Sequence, residues 1–225
     1  MGGAPPYLAY VARRERSGGE CGRDGPPLHR WMSAHDLFET SVRGWGEFPD
    51  SELARARRLF RPVARPRGAL LALAGEPASQ VAFVARGLVR LYYADADGRE
   101  RTHGFRAEGE LVCAYRAALR DEPSQLSIAA VEACELLVAP FDGFRELCAG
   151  HPCWRDLVAR LTEQLYVRQD RRQRELLLDD AATRYRTFVT EQAPLAARLT
   201  QRLIASYVGV TPVALSRIRR SVDLG

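Results

Sequence analysis

The residues with the most distinctive chemistry lie near the end of the chain, in Thr200-Gln-Arg-Leu-Ile-Ala-Ser-Tyr-Val-Gly-Val-Thr-Pro-Val-Ala-Leu-Ser-Arg-Ile-Arg-Arg220. Their spacing predicts two short helices around a tight turn. Ala205 falls where the two helices must approach closely, Gly209 where the turn needs a positive φ, and Leu215 and Ile218 where the second helix buries its inner face. Thr211-Pro212 is a helix start, because a Thr hydroxyl accepts from an orphan amide and Pro tolerates the first helical position. The outer face of that helix then presents Pro212, Val213, Ser216, Arg217 and Arg220, with Arg219 nearby. Guanidinium and hydroxyl groups on an exposed helix suit base edges and phosphates, so the segment is a candidate helix-turn-helix DNA reader. An αα-hairpin that merely closes a core shares the apolar spacing, and charge separates the two readings. From Asp180 onward seven arginines face three acids, a net charge of +4, while the whole chain carries only +5. Nucleic-acid binding concentrates charge in this way.

All 33 basic residues are Arg and none is Lys, which reads as genome composition bias. Position on a motif, and not the count of arginines, must therefore carry the argument. Five cysteines (21, 113, 134, 148 and 153) are odd in number and irregularly spaced, as expected of reduced thiols in a cytoplasmic protein. Cys148 and Cys153, with His151 between them, come closest to a metal or redox cluster but lack its tight spacing. Cys113, Cys134 and Cys148 read more simply as core residues. An enzyme built on a metal-binding β-roll would need several His and carboxylate ligands, and His103 is the one histidine of the strand region. The expectation is a non-enzyme without metal or cofactor.

The elements that must position these residues follow from periodicity. A chain of 225 residues supports one large or two medium domains. Residues 1–31 are rich in Gly, Pro and Arg without periodicity and are expected to be a disordered tail, with Met32 an alternative start. Short helices are expected around Leu37-Phe38 and from an N-cap at Ser51 to Phe60. From Arg67 to about Pro140, short strands are punctuated by glycine, and Asp97-Gly98 is a hairpin-turn dipeptide. Strands at this spacing imply a sandwich or barrel. A short helix from Phe141 follows, and then Trp154, Leu157, Leu161 and Leu165 recur at helical steps in a long helix reaching about Leu178. That stripe suggests a partner helix, most economically from a second copy, or packing on the chain's own β domain, or both. Asp179-Asp180 offers a hinge and an N-cap for a helix containing Tyr185 and Phe188. No apolar run is long enough to cross a bilayer, and the expected location is the cytoplasm.

The order of these parts, with Gly75-Glu76, Phe83-Val84, Gly87-Leu88-Val89-Arg90, Gly109-Glu110-Leu111, Ala133-Cys134-Glu135 and Ile204 to Arg219, resembles the cyclic-AMP receptor protein / fumarate-nitrate regulator (CRP/FNR) family of bacterial transcription factors. The resemblance covers roughly Ser51 to Arg220. It implies an α+β fold: a jelly-roll β-roll of the cyclic-nucleotide-binding type over residues 32–150 with flanking helices, a dimerisation helix over 151–179, and a winged-helix type helix-turn-helix domain over 180–225. It also implies a homodimer, double-stranded DNA as partner on a pseudo-palindromic operator, RNA polymerase as a further candidate partner, a small-molecule effector and no membrane. Thr200 and Gln201 match positions that meet backbone phosphate, and Arg217 matches the family's guanine-reading arginine. Pro212 and Val213 stand where other members carry Arg and Glu, and Val213 suits a thymine methyl.

The effector pocket departs from the family. Gly109 and Glu110 match the phosphate cassette, but the Arg-Ser or Arg-Thr clamp of nucleotide-binding members is replaced by Ser124 and Gln125. Neither is charged, so a bound cyclic phosphate loses its strongest hydrogen bonds unless Arg116 or Arg120 reaches inward. Cyclic AMP is therefore not the expected ligand. Arg168, Gln169 and Arg172 of the long helix either approach the pocket or fix helix register at the dimer seam. The clustered N-terminal cysteines of iron–sulfur members are missing. A scaffold or ligand-binding module of the same fold, without DNA binding, is the competing reading, against which the Thr200–Arg220 motif speaks.

Overall fold

A computed structural model describes residues 32–222. The expected tail, residues 1–31, lies outside them, as does the chain end beyond 222. Two helices open the described chain, α1 (Ala34–Arg43) and α2 (Asp50–Leu59). Ser33 caps α1 by accepting from the Asp36 amide at 3.2 Å. The expected Ser51 cap gives way: α2 begins at Asp50, and its first free amides, from Glu52 and Leu53, bond to the Pro49 carbonyl, which sets the turn one residue earlier.

The strands are β1 (Arg61–Arg65), β2 (Leu70–Ala72), β3 (Gln80–Arg86), β4 (Val89–Ala94), β5 (Glu100–Arg106), β6 (Leu111–Val112), then after α3 (Tyr115–Arg120) β7 (Ser127–Ala130) and β8 (Cys134–Pro140). They form two antiparallel four-stranded sheets, ordered β1-β8-β3-β6 and β2-β7-β4-β5. Between the sheets pack Val84, Val89, Leu91, Ile128 and Leu136. On the outer face of the first sheet, Val81, Phe83 and Ala85 meet Phe38 of α1 and Phe60 just after α2. With both faces covered, β3 is buried from Val81 to Ala85, which is why its sequence is a continuous apolar run instead of an alternation. The Asp97-Gly98 turn forms as expected: the Asp95 carboxylate accepts from the Asp97 and Arg99 amides at 3.1 and 2.8 Å, closing the β4–β5 hairpin.

The helices that follow are α4 (Phe141–Gly150), α5 (Pro152–Leu178), α6 (Ala181–Glu191), α7 (Ala193–Ala196), α8 (Gln201–Val208) and α9 (Pro212–Val222). The 27 residues of α5 extend about 40 Å at 1.5 Å per residue. His151 caps it, its Nδ1 accepting from the Cys153 amide at 3.2 Å. Part of the expected dimer stripe is corrected here. Trp154 and Leu157 are fully buried in the chain's own core, where the Trp154 indole donates to Glu52 Oε2 at 3.0 Å. The first turns of α5 are wedged against α1 and α2, leaving no face for a second copy at these residues. Leu161 and Leu165 are half-buried and line a cavity. The large apolar side chains that α5 does expose are Tyr166, Val167, Leu176, Leu177 and Leu178.

From residue 179 onward the described residues are helical and contain no strand. Asp180 caps α6, accepting from the Thr183 amide at 2.7 Å. Tyr185, Phe188, Ile204, Val208 and Leu215 form a third core, which Leu88 and Phe105 of the β-roll complete. The C-terminal unit is thus docked on the roll.

Candidate nucleic-acid interface and ligand cavity

Two threonines and one glycine set the geometry of the C-terminal pair. The Thr200 hydroxyl accepts from the Leu203 amide and starts α8. Gly209 closes it at φ +87°, a left-handed conformation available to glycine, while the Gly209 and Val210 amides return to the Ala205 carbonyl at 2.9 and 3.0 Å. The Thr211 hydroxyl then accepts from the Ala214 amide at 3.2 Å and starts α9. Ala205, Val208 and Leu215 reach zero exposure, so the closely approaching faces are those with the smallest or best-fitting side chains.

The other face of α9 is exposed at Pro212, Val213, Ser216, Arg217 and Arg220. Steps of one, three, one and three residues keep these five on one side of the helix. Thr200 and Gln201 are also exposed, at the start of α8, where unpaired amides favour an anion. Every residue assigned to the reader is accessible in the docked arrangement, and Arg217 and Arg220 have no acidic partner within salt-bridge range among the described residues. The C-terminal unit can therefore present two unpaired guanidiniums and a small apolar side chain to a groove.

A second site lies between the roll and α5. A cavity of about 140 Å³ is bounded by Val42 and Trp45 from the α1 region, by Phe83 and Leu111 of the roll, and by Leu161 and Leu165 of α5. Its charged lining comes from Arg106, Glu110 and Arg168, and Ser41, Cys113, Tyr115 and Thr162 add neutral polar groups. Glu110 is fixed on both oxygens: Oε2 accepts from the Ala107 amide at 2.9 Å and Oε1 from Arg168 at 2.8 Å. Arg106 makes one guanidinium hydrogen bond among the described residues, to the Phe105 carbonyl at 2.7 Å. Burial pushes its pKa below the ordinary 12.5 and Arg168 adds to that, with Glu110 pulling the other way. Burial drives the Cys113 thiol up to about 12, so this wall is a neutral sulfur.

Of the residues that the sequence pointed to, Gly109 and Glu110 line this cavity, and Ser124, Gln125, Arg116 and Arg120 do not. Ser124 is buried but turned on its own loop, bonding the Leu126 amide and carbonyl. Gln125 is exposed. Arg116 and Arg120 both pair with Glu122 on the surface. The positive charge of the cavity comes instead from β5 and α5. Arg168 was within reach of sequence reasoning, because it interrupts the apolar stripe of α5. Arg106 was missed, since an arginine ending a strand ordinarily points to solvent.

Residues 62–151 match the family model of the cyclic nucleotide-binding domain, and the chain carries the fold of CRP/FNR-type transcription regulators. Among solved structures, FixK2 from Bradyrhizobium japonicum is similar with a TM-score of 0.64 at 21% identity, covering 74% of this chain and 85% of its own. The c-di-GMP responsive global regulator CLP of Xanthomonas campestris matches with a TM-score of 0.64 at 16% identity, over 78% of this chain and 92% of its own. A protein assigned to the crp/fnr family of transcriptional regulators, from Eubacterium rectale ATCC 33656, gives 0.64 at 14% identity, over 79% and 84%. No curated protein sequence matches the chain significantly. No helix among the described residues is long and apolar enough to cross a membrane.

Proposed function

We propose that this chain is a sequence-specific DNA-binding transcription regulator, acting in the cytoplasm as a homodimer on a pseudo-palindromic operator and answering to an effector other than cyclic AMP. The observation that carries this reading is the exposed face of α9, where Val213, Ser216, Arg217 and Arg220 stand free on a helix capped at its start by Thr211. Its likeness in fold to FixK2, CLP and the Eubacterium rectale regulator supports the same assignment. Cyclic AMP is disfavoured because the clamp positions, Ser124 and Gln125, bring no charge to the cavity. Regulation, and not catalysis, is the role assigned to the roll.

Selection of binding sites from random duplexes, followed by gel shift, tests the reading. Arg217→Ala should cost about 1–3 kcal/mol on the selected site and relax preference at one base pair per half-site. Selected half-sites should lie about 34–36 Å apart, one turn of DNA. Failure to enrich any sequence, or an Arg217→Ala variant that binds selected and random DNA as the parent does, would overturn the assignment.

A further inference from the structure

The cavity between the roll and α5 has a composition that a nucleotide site does not need. Most of its wall is apolar, contributed by α1, the roll, α4 and α5, and its charged lining is two guanidiniums and one carboxylate. Glu110 already bonds Arg168 and the Ala107 amide, so it reaches Arg106 only through its charge at a distance and not by a hydrogen bond. Arg106 is left over. It is shielded from solvent enough to lose pKa and has no carboxylate within salt-bridge distance among the described residues. An unpaired cation in such a place is costly and is normally matched by an anion. A second polar group on the wall is unmatched as well: Ser41 is 3% exposed, and its hydroxyl has no hydrogen-bond partner among the described residues. Buried polar atoms without partners are few in folded proteins and call for an occupant.

We propose that this cavity binds a small apolar carboxylate, with the carboxylate on Arg106 and an aromatic ring or short branched chain between Phe83, Leu111, Leu161 and Leu165. The net charge of the polar end, +1 from Arg106, Arg168 and Glu110, selects a monoanion over a dianion or a neutral ligand. A planar carboxylate matches the guanidinium fork with two parallel hydrogen bonds. Volume sets the body: an apolar cavity of about 150 Å³ holds one benzene ring, and this one measures about 140 Å³. A cyclic nucleotide, carrying purine, ribose and phosphate, would have to extend out of that space. Ser41 lies in α1, away from the strand that carries Arg106, and meets a hydroxyl or carbonyl at the far end of the ligand.

The link to regulation rests on the DNA-binding reading above. Arg106 and Phe105 are neighbours on β5; the first lines the cavity, and the second packs on Tyr207 of α8 at a ring-centroid distance of 5.8 Å. Drawing Arg106 toward a ligand therefore acts on the strand that holds the reader.

Calorimetry on the full chain with benzoate, phenylacetate and hexanoate, against benzamide and benzyl alcohol as uncharged counterparts and cyclic AMP as comparison, tests the proposal. At least one carboxylate should bind, and its uncharged counterpart should bind at least about tenfold more weakly. Arg106→Gln should weaken the carboxylate by about ten- to a hundredfold, and Leu161→Trp, which fills the cavity and leaves Arg106 in place, should abolish binding. Should either variant fail to fold, the contrast between charged and uncharged ligands on the parent still decides. No carboxylate binding, equal binding of charged and uncharged ligands, binding untouched by both variants, or tighter binding of cyclic AMP would each overturn it. Gel shifts on the same preparations separate the two readings: a carboxylate bound by protein that selects no DNA sinks the regulator and keeps the cavity, and selective DNA binding without any carboxylate does the reverse.

Discussion

Gly87 shows how narrow the tolerance of single positions is in this roll. It turns the chain between β3 and β4 at φ +100°, and a Cβ built there would lie 2.6 Å from Cys134 Sγ and 2.7 Å from the Ala133 carbonyl. Strain alone for a side chain in such a conformation is about 1–3 kcal/mol, and the clash with backbone adds to it. Gly98 makes a clean comparison, with φ +73° and open space around its missing Cβ. Urea denaturation should show Gly98→Ala costing about 1–2 kcal/mol and Gly87→Ala clearly more; equal costs would mean that Cys134 and its loop yield freely. The helix pair at the C-terminus was legible at this scale because Thr200, Gly209 and Thr211 each satisfy a local backbone demand that their neighbours in sequence fully define. The cavity was not. Ser124 looked like a pocket residue from its distance to Ala133-Cys134-Glu135, but its hydroxyl is consumed by Leu126, and the cation came from Arg106, whose inward direction depends on α5 lying over β5.

Among the elements, α5 serves two partners in succession along its length. Its first turns belong to the chain's own core through Trp154 and Leu157, its middle covers the cavity with Leu161 and Leu165, and beyond that it exposes Tyr166, Val167, Leu177 and Leu178 at 71, 61, 72 and 71%. Tyr166 and Leu177, like Val167 and Leu178, stand eleven residues apart, which returns to the same side of a helix after three turns. A homodimer through α5 should therefore close on its second half. Sedimentation at micromolar concentration should give a dimer for the parent and a monomer for Tyr166→Glu combined with Leu177→Glu, with thermal stability of the monomer little changed because neither side chain packs on its own chain. A parent that sediments as a monomer removes the basis for this. Periodicity predicted the length of α5 correctly and misassigned the start of its stripe, since an apolar face looks the same whether it meets a second copy or its own roll. Strands such as β3 and β4 were legible through apolar runs, alternation and turn dipeptides, whereas β1 (Arg61–Arg65) lies ahead of the strand region expected from Arg67, because this mostly exposed edge strand, RPVAR, carries no apolar run to read.

At the scale of the whole molecule, the C-terminal helical unit is latched to the roll by charge as well as by the Phe105–Tyr207 contact. Arg198, just before α8, donates from both terminal nitrogens to Glu108, at 2.8 and 2.9 Å, and also reaches Glu132. Beside it, the Ser206 hydroxyl of α8 accepts from the Thr102 amide at 3.0 Å and from Arg90 at 3.2 Å. Burial alone would raise the Glu108 carboxyl, but the hydrogen bonds and charge of Arg198 outweigh it and hold the pKa below its ordinary 4.5. A carboxylate depressed on folding contributes stability that is complete above its unfolded value and is lost as pH falls through the folded one. The latch should thus be whole at neutral pH and released by acid. A double-mutant cycle of Arg198→Ala and Glu108→Ala in urea should give a coupling of about 1–2 kcal/mol at neutral pH, since the pair is half-buried and charge-assisted. Well below pH 4.5 the coupling should vanish, while the parent loses stability more steeply than the Glu108→Gln variant. A coupling near zero at neutral pH would assign the docking to the apolar contacts of Leu88 and Phe105 alone, and the ion pair would then be a bystander at the seam between the roll and the C-terminal helices.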